Sequence, residues 1–347
     1  MGHEREWAGA YMTDSAGVTN PPTATGLQNN TEPIFQSIGE VSSQLASVGY
    51  LSDEAISSVV YLADHLSKPV LVEGPAGTGK TELAKSVATA ASAKLLRLQC
   101  YEGLDESKAL YEWNYRKQLL RIQAERVIGS DDDAQQADNS WFSLEGDIFS
   151  EEFLLERPLL SAIRESGRVV LLVDEVDRVE LETEALLLEV LSEYQVSIPE
   201  MGTVTASRIP MVFLTSNGTR ELSEALKRRC LFLYLDYPDI ERERKIIVSR
   251  VPSITTELAD QIARIVRSLR EMDLKKDPSV SETIDWARTL VLLGIKSIDE
   301  NVVGDTLWVL LKYRSDLEKA AKELGIPQSG VARIGAAHDG TARDGKR

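Results

Sequence analysis

The chain has 347 residues, enough at roughly 150 per domain for about two domains, and its two cysteines rule out a disulfide-stapled mini-protein. With 43% apolar and 27% charged residues and no apolar stretch near the ~20 residues that span a bilayer, it reads as a globular chain without a membrane-spanning helix. Fifty-five acids against 39 Lys plus Arg leave a net charge of −16, which repels phosphate backbones and disfavours sequence-independent nucleic-acid binding.

Cys100 and Cys230 sit next to apolar residues and belong to no Cys/His cluster, so they read as two buried free thiols of a reducing compartment. The amino terminus lacks an apolar signal core, and Glu6 stands where a myristoylation signal needs Ser or Thr. A cytosolic location is expected.

In chain order, residues 1 to about 33 are rich in Thr, Asn, Gly and Pro and read as a loose arm, since they offer little apolar surface to repay ordering. Short apolar runs at 70–72, 95–98, 169–173, 212–214 and 231–235 read as strands, several near-continuously apolar as strands covered on both faces must be. Helical faces recur between and after them: Leu186, Leu187, Val190, Leu191 and Tyr194, then Leu258, Ile262, Ile265, Val266 and Leu269. No strand follows Leu235. This pattern predicts a three-layer α/β domain over 34–250 and a helical domain over 251–325, with a loose tail at 326–347. The 94-residue separation of Lys80 and Asp174 demands an insertion, placed at about 101–150 with a polar tip at 130–140. Its Tyr101, Tyr111, Trp113 and Tyr115 are read as packing rather than as a client-gripping surface.

The strand-like run 69–73 leads into GPAGTGKT, residues Gly74, Pro75, Ala76, Gly77, Thr78, Gly79, Lys80 and Thr81, followed by a helix-forming stretch. That string fits GxxxxGK[ST] in its required strand–loop–helix setting. Its glycines let backbone N–H groups face phosphate oxygens; Lys80 offers charge to the β and γ phosphates of ATP, and Thr81 a hydroxyl to magnesium.

RVVLLVDEVDR (168–178) ends a buried strand in two acids, which divides the work between Asp174 at the magnesium shell and Glu175 as base for the attacking water. Asp177 reads as surface charge and is left aside. VFLTSN (212–217) ends in Asn217, whose amide at a strand's carboxyl edge suits holding that water; a turn before Gly218 would explain it equally if it stood alone. Arg228 and Arg229 close a helix, where the dipole favours cations, yet a guanidinium there also suits an arginine finger reaching a neighbour's phosphate.

Ordered this way, GPAGTGKT, LLVDEVD, FLTSN and ALKRRC followed by helices resemble a ring-forming AAA+ ATPase over about 34–320, a P-loop NTPase α/β domain with a small all-helical lid. LLLEVLSEYQVSIPEMGTVTA (186–206) and EEFLLERPLLSAI (151–163) resemble the MoxR group, the former carrying a hairpin at about 195–206. RLQCYEGLDESKALYEWNYRKQLL (97–120) resembles the MoxR-type accessory ATPases encoded with carbon monoxide dehydrogenase and related molybdenum hydroxylases. The resemblance implies a hexameric ring that hydrolyses ATP with Mg²⁺ at subunit interfaces and remodels a client protein. It also implies a von Willebrand factor A domain partner and a role in maturing a copper and molybdenum centre. It assigns the finger to Arg229 first and Arg228 second. Many relatives carry an arginine early in a lid helix where this chain has Ser281, and Arg288 lies two turns farther on, too far to be assumed a substitute. Two other readings stay open: an ATP-gated assembly platform in which binding rather than turnover matters, and a nucleic-acid motor, which the net acidity opposes.

Overall fold

The computed structural model describes residues 32–128 and 148–325. The tip at 130–140, the tail at 326–347 and all but the end of the N-terminal arm lie outside the described residues.

Five strands form the central sheet: β1 (Val70–Glu73), β2 (Lys94–Gln99), β5 (Val169–Asp174), β8 (Met211–Ser216) and β9 (Leu231–Tyr234). Their order is β2-β5-β8-β1-β9 and every pairing is parallel. Two antiparallel pairs accompany it, β3 (Tyr111–Trp113) with β4 (Leu154–Glu156), and the hairpin β6 (Gln195–Ile198) with β7 (Gly202–Thr205).

Because strand side chains alternate, each central strand feeds two cores. Val70, Val72, Val170, Leu172 and Phe213 pack one face with residues of the helices Ile38–Ser47, Glu54–Leu66 and Lys80–Ala90. Leu71, Leu171, Val173, Val212 and Leu214 pack the other with residues of Pro158–Arg164, Leu181–Glu193 and Glu224–Arg229. That is the three-layer α/β architecture. β5 and β8 are buried throughout, as their apolar runs require. β2 departs from that expectation: it is an edge strand, and its Lys94 and Arg97 are exposed.

Within the insertion, Trp113 is buried against Phe149 in an edge-on contact at 5.2 Å, with Tyr111 at 6.3 Å. Tyr101 and Tyr115 are exposed, so packing accounts for only part of the aromatic set. Of the two thiols, Cys100 is buried but Cys230 only partly covered; burial pushes both up to about 12, which keeps them protonated and inert.

After β9 the chain is helical: Ile240–Arg250, Thr256–Arg270, Val280–Leu292, Glu300–Thr306 and Arg314–Glu323 enclose a third core around the fully buried Trp286. Its strongest polar tie is a bidentate ion pair from Arg270 to Glu243, at 2.6 and 2.8 Å, with both side chains buried. The same guanidinium lies 4.2 Å from the ring centroid of Tyr237. This helical part sits directly on the phosphate loop. Ser279 and Glu282 form a capping box, Val280 N–H donates to Gly77 O at 3.1 Å, and a Cβ on Gly77 would lie 2.2 Å from that of Ser279.

Removing one partner of the buried pair strands the other's charge. Glu243→Ala is therefore expected to destabilise the protein by about 3 kcal/mol in denaturant unfolding. Gly77→Ala adds both a clash and an unfavourable positive φ of +80°. It should cost about 2 kcal/mol or more in the same assay, whereas Gly103→Ala, with the same sign of φ but open space, should cost less.

Candidate functional site

The register of the sheet decides where the polar residues meet. β1 runs into the loop Gly74–Gly79, and its Glu73 is level with Ser216 at the end of β8 and Tyr234 of β9. Gly74 N–H donates to Ser216 O at 3.3 Å, and a Cβ there would lie 2.0 Å from Leu235 O, so the backbone passes where no side chain fits. The loop then opens the helix Lys80–Ala90, whose first turn lacks a side-chain cap.

Lys80 is 6% exposed, and its ammonium donates to Gly74 O at 2.8 Å and Pro75 O at 2.7 Å. Among the described residues it makes no ion pair. Burial pulls it below the usual lysine range, opposed by the charges of Asp177, Asp174, Glu175 and Glu73. A buried cation held only by carbonyls, beside free helix N–H groups, is an environment for an anion with several oxygens.

Asp174 ends β5 and is 3% exposed. Its Oδ1 accepts from Thr81 Oγ1 at 2.9 Å and Thr215 Oγ1 at 2.6 Å; its Oδ2 accepts from Arg97 Nε at 3.1 Å and Nη2 at 2.5 Å. Burial would raise this carboxyl, but the hydrogen bonds from Thr215, Arg97 and Thr81 hold it below the usual carboxylate range. An ionised carboxylate and a hydroxyl in contact are hard oxygen donors of the kind a magnesium ion takes.

Glu175 follows in a left-handed conformation at φ 59°, a strained turn that aims its side chain back toward the strand ends. Its N–H donates to Thr215 Oγ1 at 2.9 Å. Its Oε2 accepts from Gln99 Nε2 at 3.1 Å and pairs with Arg178 Nε at 3.0 Å, while Oε1 has no hydrogen bond among the described residues.

Asn217 follows β8 and is half-buried, and its N–H donates to Asp177 Oδ2 at 3.2 Å. Asp177 is not surface charge. It is 3% exposed, accepts also from Thr219 N–H at 3.0 Å and Thr219 Oγ1 at 2.6 Å, and leaves Oδ1 buried without a partner. Burial is outweighed by these bonds, so Asp177 too is held below the usual range. Its three-residue offset from Asp174 hides this, because the 3₁₀ turn Val176–Arg178 folds it inward.

Arg228 and Arg229, in contrast, are exposed and make no ion pair among the described residues, while Lys227 beside them pairs with Glu221. The structure thus brings Lys80, Thr81, Asp174, Glu175 and Asn217 to one edge of the sheet and leaves both arginines at the surface.

A cavity of about 270 Å³ flanks the loop, lined by Tyr50, Leu51, Gly79, Arg242, Ile284 and Arg288 among others. Ser281 lines it as well. Arg288, two turns along its helix, lines it too and pairs with Asp285 at 3.3 Å.

Residues 69–230 match the family model of the AAA domain, dynein-related subfamily. An uncharacterized protein of Staphylococcus haemolyticus is 25% identical over 70% of this chain and 83% of its own length. The gas vesicle ATPase GvpN of Haloferax mediterranei is 30% identical over 69% of this chain and 66% of its own. Among solved structures, the Thermotoga maritima RuvB Holliday junction branch migration motor aligns at 16% identity and a TM-score of 0.41, over 79% of this chain and 69% of that one, a likeness too loose to bear on function. Among the described residues, no helix is long and apolar enough to cross a membrane. Residues 69–230 therefore form an AAA+ ATPase domain, and with the converging residues and the ATPase-named relative the chain is an enzyme that hydrolyses ATP.

Proposed function

We propose that the chain works as a ring of identical subunits, hexameric in number, that couples ATP hydrolysis to remodelling of a client protein in the cytoplasm. The observation that carries the site assignment is the buried Lys80, without an ion pair among the described residues, at the mouth of a glycine loop and a helix N-terminus, faced by acids at the end of β5. In this reading the loop Gly74–Thr81 and Lys80 hold the triphosphate, and Thr81 and Asp174 hold Mg²⁺. When bound, that ion supplies charge neutralisation on the phosphate oxygens.

The chain's own groups then divide the reaction. Gln99 and Arg178 fix Oε2 of Glu175, leaving Oε1 as the oxygen that accepts the proton of the attacking water. Asp177 secures the backbone of Asn217 and Thr219, which sets the amide that positions this water. Arg229, and second to it Arg228, is exposed and makes no ion pair among the described residues, which leaves it open to a neighbouring subunit. The finer reading, a molybdenum hydroxylase client and a von Willebrand factor A domain partner, is supported by the resemblance of residues 97–120 to accessory ATPases of that setting.

Glu175→Gln should bind ATP as the parent does and lose roughly 100-fold or more in steady-state phosphate release. Arg229→Ala should be similarly slow, and mixing the two inactive variants should restore part of the activity, because an intact Glu175 then meets an intact Arg229 across a subunit boundary. Turnover by Glu175→Gln at the parental rate would refute the base. Mixed subunits that stay silent would refute a finger acting in trans, and a Glu175→Gln protein that still supports client maturation would favour the ATP-gated platform.

A further inference from the structure

Arg97 is a cation already in place on the carboxylate that the reading above gives to Mg²⁺. Two of its three nitrogens, Nε and Nη2, converge on Asp174 Oδ2, while the hydroxyls of Thr81 and Thr215 occupy Oδ1. Each oxygen of Asp174 thus accepts two protein hydrogen bonds, which accounts for its lone pairs. A divalent cation approaching this carboxylate, directly or through a water, meets a like charge in contact with it.

The hydroxyls can turn their hydrogens away and offer lone pairs instead; a guanidinium has none to offer. Arg97 is also the group with room to leave, since its side chain is 47% exposed against 4% for Asp174 and it stands on the edge strand β2. We propose that Arg97, bound to Asp174 through Nε and Nη2, competes with Mg²⁺ for that carboxylate, so that loading the metal requires the guanidinium to be displaced or its attraction overcome.

The same guanidinium bonds Gln99 Oε1, which turns the Gln99 amide so that its Nε2 faces Glu175. Displacing Arg97 therefore removes the donor that orients Gln99. This inference rests on Thr81 and Asp174 being the metal-binding pair, and the experiment separates the two claims.

The readout is the dissociation constant of a fluorescent ADP with EDTA divided by that with excess Mg²⁺, for the parent, Arg97→Ala, Arg97→Gln, Arg97→Lys and Asp174→Asn. The ratio isolates the contribution of the metal from general effects on nucleotide affinity, and a melting curve confirms that each variant is folded. Removing the competing charge should raise the ratio roughly three- to tenfold in Arg97→Ala and Arg97→Gln, with Arg97→Lys staying near the parent and Asp174→Asn falling below it. An unchanged or lower ratio in Arg97→Ala and Arg97→Gln, with Asp174→Asn still lowered, would overturn the competition while leaving the metal assignment standing. If Asp174→Asn left the ratio at the parental value, the metal assignment itself would fail and the inference with it.

Discussion

Asp174 is the residue on which the site hangs. It ends a strand whose six residues are all buried, and it receives hydroxyls from two different elements, Thr81 at the start of a helix and Thr215 within β8. Those bonds exist only because β5 and β8 pair in parallel with Val173 level with Leu214, so that both strands deliver their polar ends to the same edge. The interior of a doubly covered sheet cannot hold an unpaired carboxylate without a large desolvation penalty. The carboxyl ends are where such groups can be both ordered and solvent-accessible, which is also where open α/β sheets bind ligands.

The loop and the helical part share one framework. Gly77 lies against Ser279 and accepts from Val280, Arg250 pairs with Glu82 of the helix that follows the loop, and Arg242 pairs with Asp53 and donates to Leu51 O. Any shift in the path of the loop therefore acts on the start of the helix Val280–Leu292, and through it on the core around Trp286. The buried Arg270–Glu243 pair makes that core a stiff element, since breaking it would isolate a charge.

Much of this is written in local sequence. A glycine loop before a lysine and threonine has few alternative structures, and an apolar run ending in Asp-Glu has to surface where the run stops. The alternation of Val70, Leu71 and Val72 between two cores is likewise implicit in the strand itself. What stays hidden is what depends on neighbours far along the chain. Arg97 and Gln99 meet Asp174 and Glu175 across more than 70 residues because β2 pairs with β5, a strand order that no local pattern specifies. The two polar residues at alternate positions of β2 were nevertheless a signal, since they fall on one face of a strand. Asp177 is hidden for a different reason: its burial comes from a turn of three residues and from a loop 40 residues on. Arg228 and Arg229 are exposed and make no ion pair among the described residues, so nothing within one subunit marks them out.

The central claim is that Lys80 is buried for an anion, and the most direct measurement is equilibrium binding of a fluorescent ATP analogue to Lys80→Ala beside the parent protein. The account predicts a folded variant whose affinity drops roughly 10- to 100-fold, with the difference narrowing for the nucleoside that lacks phosphates. Equal affinity of the two proteins for the triphosphate would contradict it.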